Sequence, residues 1–280
     1  MPDIVVHLVA TAVYLGLAWH FWNTRWRRAD RTLRAPDASA GLKPWERAAI
    51  VVPAALHGWL IYDGIFAAPE LRFGFAQALS VMTWLAVVLY WTESLFYSLE
   101  GMEPLVLPLA ALAAPLPALF PGLASSSTYS QAGAFRLHLA LAMVAYSLFV
   151  IALLHATLMA VAERQLHSKR GGFASLNLPP LLTLEKLLFR VIGAAFVFLT
   201  LTLATGIAFS ETLFGRALRA DHKTVFAVLS WITFGLLLAG RWRYGWRGRT
   251  AIRWTLSGFV LLVLAYVGSR FVLEVILQRG

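Results

Sequence analysis

The sequence contains no cysteine. Disulfides, thiolate metal sites, thiol redox chemistry and thioether attachment of a cofactor are therefore excluded, and the seven histidines are the strong nitrogen ligands that remain. Charge is scarce as well. Asp, Glu, Lys and Arg make up 14% of the 280 residues against 59% hydrophobic, and the mean hydropathy is +0.69, a balance that an ordinary soluble domain does not have. The chain also lacks the H-E-x-x-H, G-x-S-x-G and phosphate-cradling glycine patterns, so hydrolytic and phosphoryl-transfer chemistry have no foothold. No enzymatic turnover is expected.

What the sequence has is long apolar runs, near residues 4–22, 48–66, 74–98, 104–120, 135–161, 187–209, 224–240 and 254–277. A helix needs about 20 apolar residues to cross a bilayer. The expected fold is thus an all-α polytopic integral membrane helix bundle of about eight transmembrane helices, forming a single transmembrane domain over residues 1–280. The fourth run carries Pro104, Pro108, Pro115 and Pro117, with Pro121 just beyond it. Each proline removes a backbone donor and restricts its predecessor, so this helix is expected to be kinked or incomplete and to line a cavity. The first run has no Lys or Arg before it and is followed by "RWRRADRTLR", which reads as a retained helix and not as a cleaved signal peptide.

The formal net charge of +10 sits largely in connectors, where basic residues mark membrane orientation; no nucleic-acid partner is expected. Arg25, Arg27, Arg28, Arg31, Arg34, Lys43 and Arg47 follow the first run, Arg164, Lys169 and Arg170 the fifth, and Arg241, Arg243, Arg247, Arg249 and Arg253 the seventh. All three connectors follow odd-numbered runs. One orientation, with the N- and C-termini both outside, places all of them in the cytoplasm. It also places "ETLFGRALRADHKTVFAVLSW", residues 211–231, outside with Arg216, Arg219 and Lys223, against the usual bias.

Depth sorts the histidines. His138 and His222 fall at one outer level, His7 near the outer start of the first run, His57 near mid-depth, and His155 and His20 towards the cytoplasm. Two imidazoles at one level can serve as axial ligands of a haem iron, with Arg136, Arg216, Arg219 and Lys223 as cations for its propionates. The plain alternatives are an interhelical hydrogen bond for His138 and a helix start beside Asp221 for His222. Trp84, Tyr90, Trp91 and Trp231 can stack on a porphyrin or fill the core. Glu93, inside an apolar run, needs a partner or water.

The strings "RLHLALAMVAYSLFVIALLHATL", "LEKLLFRVIGAAFVFLTLTLATGIAF", "DHKTVFAVLSWITFGLLLAGRWRYGWRGR" and "LAYVGSRFV" together resemble the cytochrome c assembly family of haem-handling membrane proteins, in its short YpjD/HemX-like branch. The resemblance is best over residues 133–275. It implies a bundle in the bacterial inner membrane that binds haem near its outer surface and acts by binding, not catalysis. His138 matches the family's first outer histidine. The Trp-rich outer motif matches residues 211–231, where Asp221, Lys223 and Trp231 remain and the other tryptophans are missing; the second outer histidine has no counterpart after Tyr266 and Gly268. The expected cofactor is haem b, with His138 and His222 on the metal and Arg136, Arg216, Arg219, Lys223 and Trp231 around it. Expected partners are haem, the lipid bilayer and another membrane protein or cytochrome assembly component. The alternative is a haem-free scaffold or regulatory subunit that stabilises a partner membrane protein.

Overall fold

The computed structural model describes residues 2–27, 41–66, 71–99, 101–122, 124–125, 133–167, 178–214 and 221–277. Helix α1 (Pro2–Phe21) runs on into a π-helical turn, Trp22–Arg27, and is followed by α2 (Pro44–Phe66), α3 (Phe75–Glu93), α4 (Glu103–Ala113) and the short α5 (Leu116–Leu119). The C-terminal half holds α6 (Gly133–His167), α7 (Leu181–Phe214), α8 (His222–Tyr244) and α9 (Gly248–Val263); α9 continues through a π-helical turn, Leu264–Gly268, the three-residue α10 (Ser269–Phe271) and a last π turn, Val272–Ile276. Two-residue strands β1 (Leu71–Arg72) and β2 (Ala124–Ser125) pair antiparallel. Among the described residues, seven helices are long and apolar enough to span a membrane, and Glu103–Leu119 is a shorter apolar segment.

Contacts sort the helix ends into two faces. At one face Arg25 pairs with Glu46 at 3.0 Å, Arg47 donates to the Ser94 carbonyl at 3.1 Å, Arg241 meets Glu185 at 2.7 Å and Arg249 meets Glu163 at 2.8 Å. This is the arginine-rich face, and basic residues mark it as cytoplasmic. At the other, His7 reaches the Ala114 carbonyl, Gln77 the Phe120 carbonyl, and Phe75 packs edge-on against Phe271. Segment α4–α5 starts beside Gly101 and ends beside His7, so it runs the full way between the faces. Among the described residues the apolar runs therefore alternate in direction, and α1 starts and the closing helix ends at the face opposite the arginine-rich one.

The proline-rich segment is incomplete as its sequence implies. Its helix stops at Ala113, turns through Ala114 and Pro115, and resumes for one turn. A continuous helix over that stretch would rise about 25 Å, short of the ~30 Å hydrocarbon core. The break is packed on one side: Ala110, Ala111, Ala113 and Ala114 are buried, chiefly against α1 and α3, while Leu112 and Leu119 on the other side are exposed.

Helices α6 and α7 form the most extensive pair in the molecule. Helix α8 starts at Asp221, whose carboxylate accepts from the Thr224 N–H at 2.9 Å, a side-chain cap. It stops at Gly245, left-handed at φ 68°, a conformation that costs glycine nothing. The Trp246 ring then folds back over Gly240, where a Cβ would overlap it. Phe149 of α6 stacks on Phe234 of α8 at 3.9 Å, and Gly258 of α9 lets Phe234 lie against its backbone. Tyr146 donates to the Leu262 carbonyl at 3.0 Å, just before the helix widens, so this buried hydroxyl is satisfied.

Two outcomes are expected. Reporter fusions after residues 35, 168 and 247 should read cytoplasmic and a C-terminal fusion should read outside; a cytoplasmic C-terminus contradicts the alternation described here. In Gly258→Ala, the new Cβ would sit 2.7 Å from the Phe234 ring. Overpacking of that kind costs about 1–3 kcal/mol, seen as a lower unfolding temperature in detergent.

Candidate functional site

His138 lies near the outer start of α6, half-buried against α7. Its Nδ1 is 3.0 Å from the Thr205 hydroxyl. That hydroxyl has one proton, and it is directed at the carbonyls of Leu201 and Thr202, at 2.8 and 3.0 Å. Thr205 must therefore accept from His138, which puts the ring proton on Nδ1 and leaves Nε2 with its lone pair. Metal-ligating histidines are held in this way, one nitrogen donating to a fixed acceptor and the other presented to the metal. Gly206 provides the space for the ring: a Cβ there would stand 3.2 Å from His138 Cε1.

His222 is the first residue of α8 and is exposed, with Asp221 as the cap beside it. Burial alone would raise the Asp221 pKa, but the Thr224 N–H and hydroxyl, then Lys223 and His222, outweigh it and hold the carboxyl below its usual range. The helix start reads as the sequence alternative had it, except that Asp221 is the cap and His222 follows it. Among the described residues no hydrogen bond or ring contact joins His222 to His138.

The remaining expected site residues are spread more widely. Arg136 is exposed and, two positions from His138, projects from a different side of α6. Lys223 is part-buried in a charged layer with Asp221, Arg270 and Glu274, where Arg270 lies 3.7 Å from Glu274. Arg216 and Arg219 lie outside the described residues. Trp231 sits nine positions beyond His222 on α8, roughly 13 Å deeper; its Nε1 donates to Thr200 at 2.9 Å and its ring stacks on Phe196.

Helix α3's aromatic residues are packing groups. Trp84 donates to the Ala54 carbonyl at 2.7 Å and lies on Gly58, Trp91 donates to the Arg47 carbonyl at 3.1 Å, and Tyr90 is fully buried. They tie α3 to α2 and the core. Glu93 finds its partner in His155, 3.5 Å away. His155 Nδ1 donates to the Ile151 carbonyl at 2.9 Å; its Nε2 is turned towards the carboxyl but makes no hydrogen bond among the described residues.

Sequence reasoning missed Arg270 and Thr205. Arg270 is a charge inside the last apolar run, "LAYVGSRFV", and intramembrane charges are by default functional candidates. Thr205 gave no signal, because its role depends on the register between α6 and α7.

The chain matches the family model for cytochrome C assembly proteins over residues 50–277, a longer stretch than its most familiar motifs cover. It is 35% identical over 139 residues to inner membrane protein YpjD of Escherichia coli strain K12, covering 50% of this chain and 52% of that one. It is 39% identical over 141 residues to a 28.8 kDa protein of Azospirillum brasilense, covering 50% and 52%. With the cytochrome c biogenesis protein CcsA of Guillardia theta it shares 29% over 150 residues, 48% of this chain and 50% of the relative. The chain thus spans about half the length of the curated relatives it matches. No solved structure matches it significantly. Its apolar helices and these likenesses make it a multi-pass protein of the bacterial inner membrane. Because the family match runs from α2 to the last turn of the closing helix, the chain belongs to the cytochrome c assembly protein family.

Proposed function

We propose that this protein binds haem b at its outer face and handles it for cytochrome c assembly, by binding and not by turnover. The supporting observation is His138, an imidazole whose donor nitrogen is fixed by Thr205 and whose other nitrogen keeps its lone pair. A free haem would bring an iron that accepts such nitrogens and two propionates that need cations. His138 and His222 would hold the iron through their imidazole nitrogens. Lys223 and Arg270, with Arg136, Arg216 and Arg219, supply the positive charge. Trp231 lies deeper and stiffens the α7–α8 wall beneath the site. The absence of cysteine keeps the attachment non-covalent, consistent with a protein that passes haem on.

The test is the absorbance spectrum of the purified protein, with and without added haemin. A Soret band that tracks protein stoichiometry supports the reading; a colourless protein that haemin cannot reconstitute makes this a haem-free scaffold for a partner membrane protein. In the haem-bound form His138→Ala and His222→Ala should each turn a low-spin spectrum five-coordinate, and imidazole should restore it. Retention of the low-spin spectrum by His222→Ala reduces His222 to a helix-start residue. Thr205→Val removes the acceptor that fixes the ring and should weaken haem binding by about tenfold. Arg219→Gln should weaken it by roughly tenfold without changing spin state, since charge-assisted contacts contribute about 1–3 kcal/mol. His57→Gln and His155→Gln should leave the spectrum intact; its loss in a folded His57→Gln protein points to a deeper haem site.

A further inference from the structure

The N-terminal helices hold a second feature at the outer face, one that the haem site does not use. A cavity of about 460 Å³ lies among the outer parts of α1, α2, α3 and α5, within the range of pockets for small organic ligands. Leu60, Ile61 and Ile65 form one apolar wall, and Pro117 and Ala118 another. Asp63 and Arg72 stand at the exposed rim with Ile4. His7, Gln77 and Ser80 supply the inner polar groups.

The hydrogen bonds fix what those polar groups offer. His7 Nδ1 is 2.6 Å from the Ala114 carbonyl. A carbonyl can only accept, so in the neutral ring Nδ1 carries the proton and Nε2 is an acceptor. Gln77 is committed at both ends, to the Gly74 N–H at 3.0 Å and the Phe120 carbonyl at 3.2 Å. Ser80 Oγ is 2.8 Å from Nε2 of His57, a fully buried residue whose Nδ1 has no partner. A buried N–H left orphaned is rarer than an orphaned acceptor, so the His57 proton belongs on Nε2 and is donated to Ser80. The Ser80 hydroxyl then keeps its own proton for the cavity. One acceptor on α1 and one donor on α3 thus face a space walled by hydrocarbon.

That pattern discriminates among ligands. The rim cation and the rim carboxylate offset each other, which disfavours a phosphate or a simple anion. No group of three or more His, Asp or Glu that could hold a metal ion occurs among the described residues. A flat apolar ring with an oxygen function at each end uses both polar groups, whereas a simple phenol uses one. We propose that the cavity binds a lipid-soluble hydroquinone, one hydroxyl donating to His7 Nε2 and the other oxygen accepting from Ser80. Its tail leaves past exposed Ile4 into the outer leaflet. The site favours the reduced form, because a quinone carries only acceptors and would set a lone pair against that of His7. The assignment concerns binding alone and stands apart from the haem reading.

The full chain in lipid nanodiscs, free of oxygen and haem, is titrated by calorimetry with decyl-benzohydroquinone and with the matching quinone. Saturable binding is expected, about tenfold tighter for the reduced form. Ser80→Ala should weaken it about fivefold. His7→Gln, with an amide that both donates and accepts, should erase the preference between redox forms. Ile61→Trp fills the cavity without touching its polar groups and should abolish binding at an unchanged unfolding temperature. If Ile61→Trp lowers that temperature, the Ser80→Ala comparison decides. Absence of saturable binding in the native sequence, equal affinity for both redox forms, or full binding in a stably folded Ile61→Trp protein each overturns the proposal.

Discussion

Hydrocarbon offers nothing to a backbone N–H or carbonyl. Among the described residues every apolar crossing is therefore helical, and the proline-rich segment too short to be a good helix has its break packed against protein on one side. Pro108 and Pro115 break the ladder of α4–α5, and α1 and α3 pack against the break. The freed Ala114 carbonyl does not go unanswered, because His7 donates to it. From that contact follows the protonation of the His7 ring, and with it the character of the outer cavity. A backbone requirement of the bilayer thus sets the chemistry of a side chain one helix away.

The same rule governs the buried side chains. Glu46 is 3% exposed and is met by Arg25, His20 and the Lys43 N–H; these contacts tie the start of α2 to the end of the first helix. Glu93 and His155 answer each other across α3 and α6. Each such pair costs desolvation and returns most of it through its partner, so it fixes helix register more than it adds stability. His138, His7 and His57 each have one nitrogen fixed by a partner, and so does His155, whose Nε2 is likewise without a hydrogen bond. The cytoplasmic half is closed with ion pairs.

Much of the architecture was legible in the residues. Run positions, the weak fourth crossing and the alternation of faces all follow from hydropathy, proline and arginine placement. The helices extend beyond the apolar runs, α6 to His167 and α7 back to Leu181, since polar residues such as Glu163, Glu185 and Lys186 continue a helix in water as readily as apolar ones do in lipid. What the sequence could not supply was register. The Thr205 contact joins residues 67 apart, and the Ser80 contact with His57 depends on how α2 slides against α3. Trp84 and Trp91 take the core-packing alternative that the sequence held open, their indole N–H groups donated to α2 carbonyls.

On the proposed haem reading, the charge layer at the outer end of α8 bears on how tightly haem would be held. Arg270 lies 3.7 Å from Glu274, Asp221 and Glu274 lie in the field of Lys223, and Glu274 also approaches the Phe75 N–H at 3.3 Å. A propionate arriving there must compete with carboxylates of the protein itself, so its net gain is the difference between two similar contacts and not the full strength of one. The first turn of α8 favours negative charge through its free N–H groups, but Asp221 already occupies the Thr224 N–H. On the proposed haem reading, a site built this way, with one fixed imidazole and cations already beside carboxylates, would give modest affinity with fast release. On the haem reading, that is the behaviour wanted of a protein that receives a cofactor in order to give it up, and the native carboxylates are the groups that reclaim the cations when it leaves.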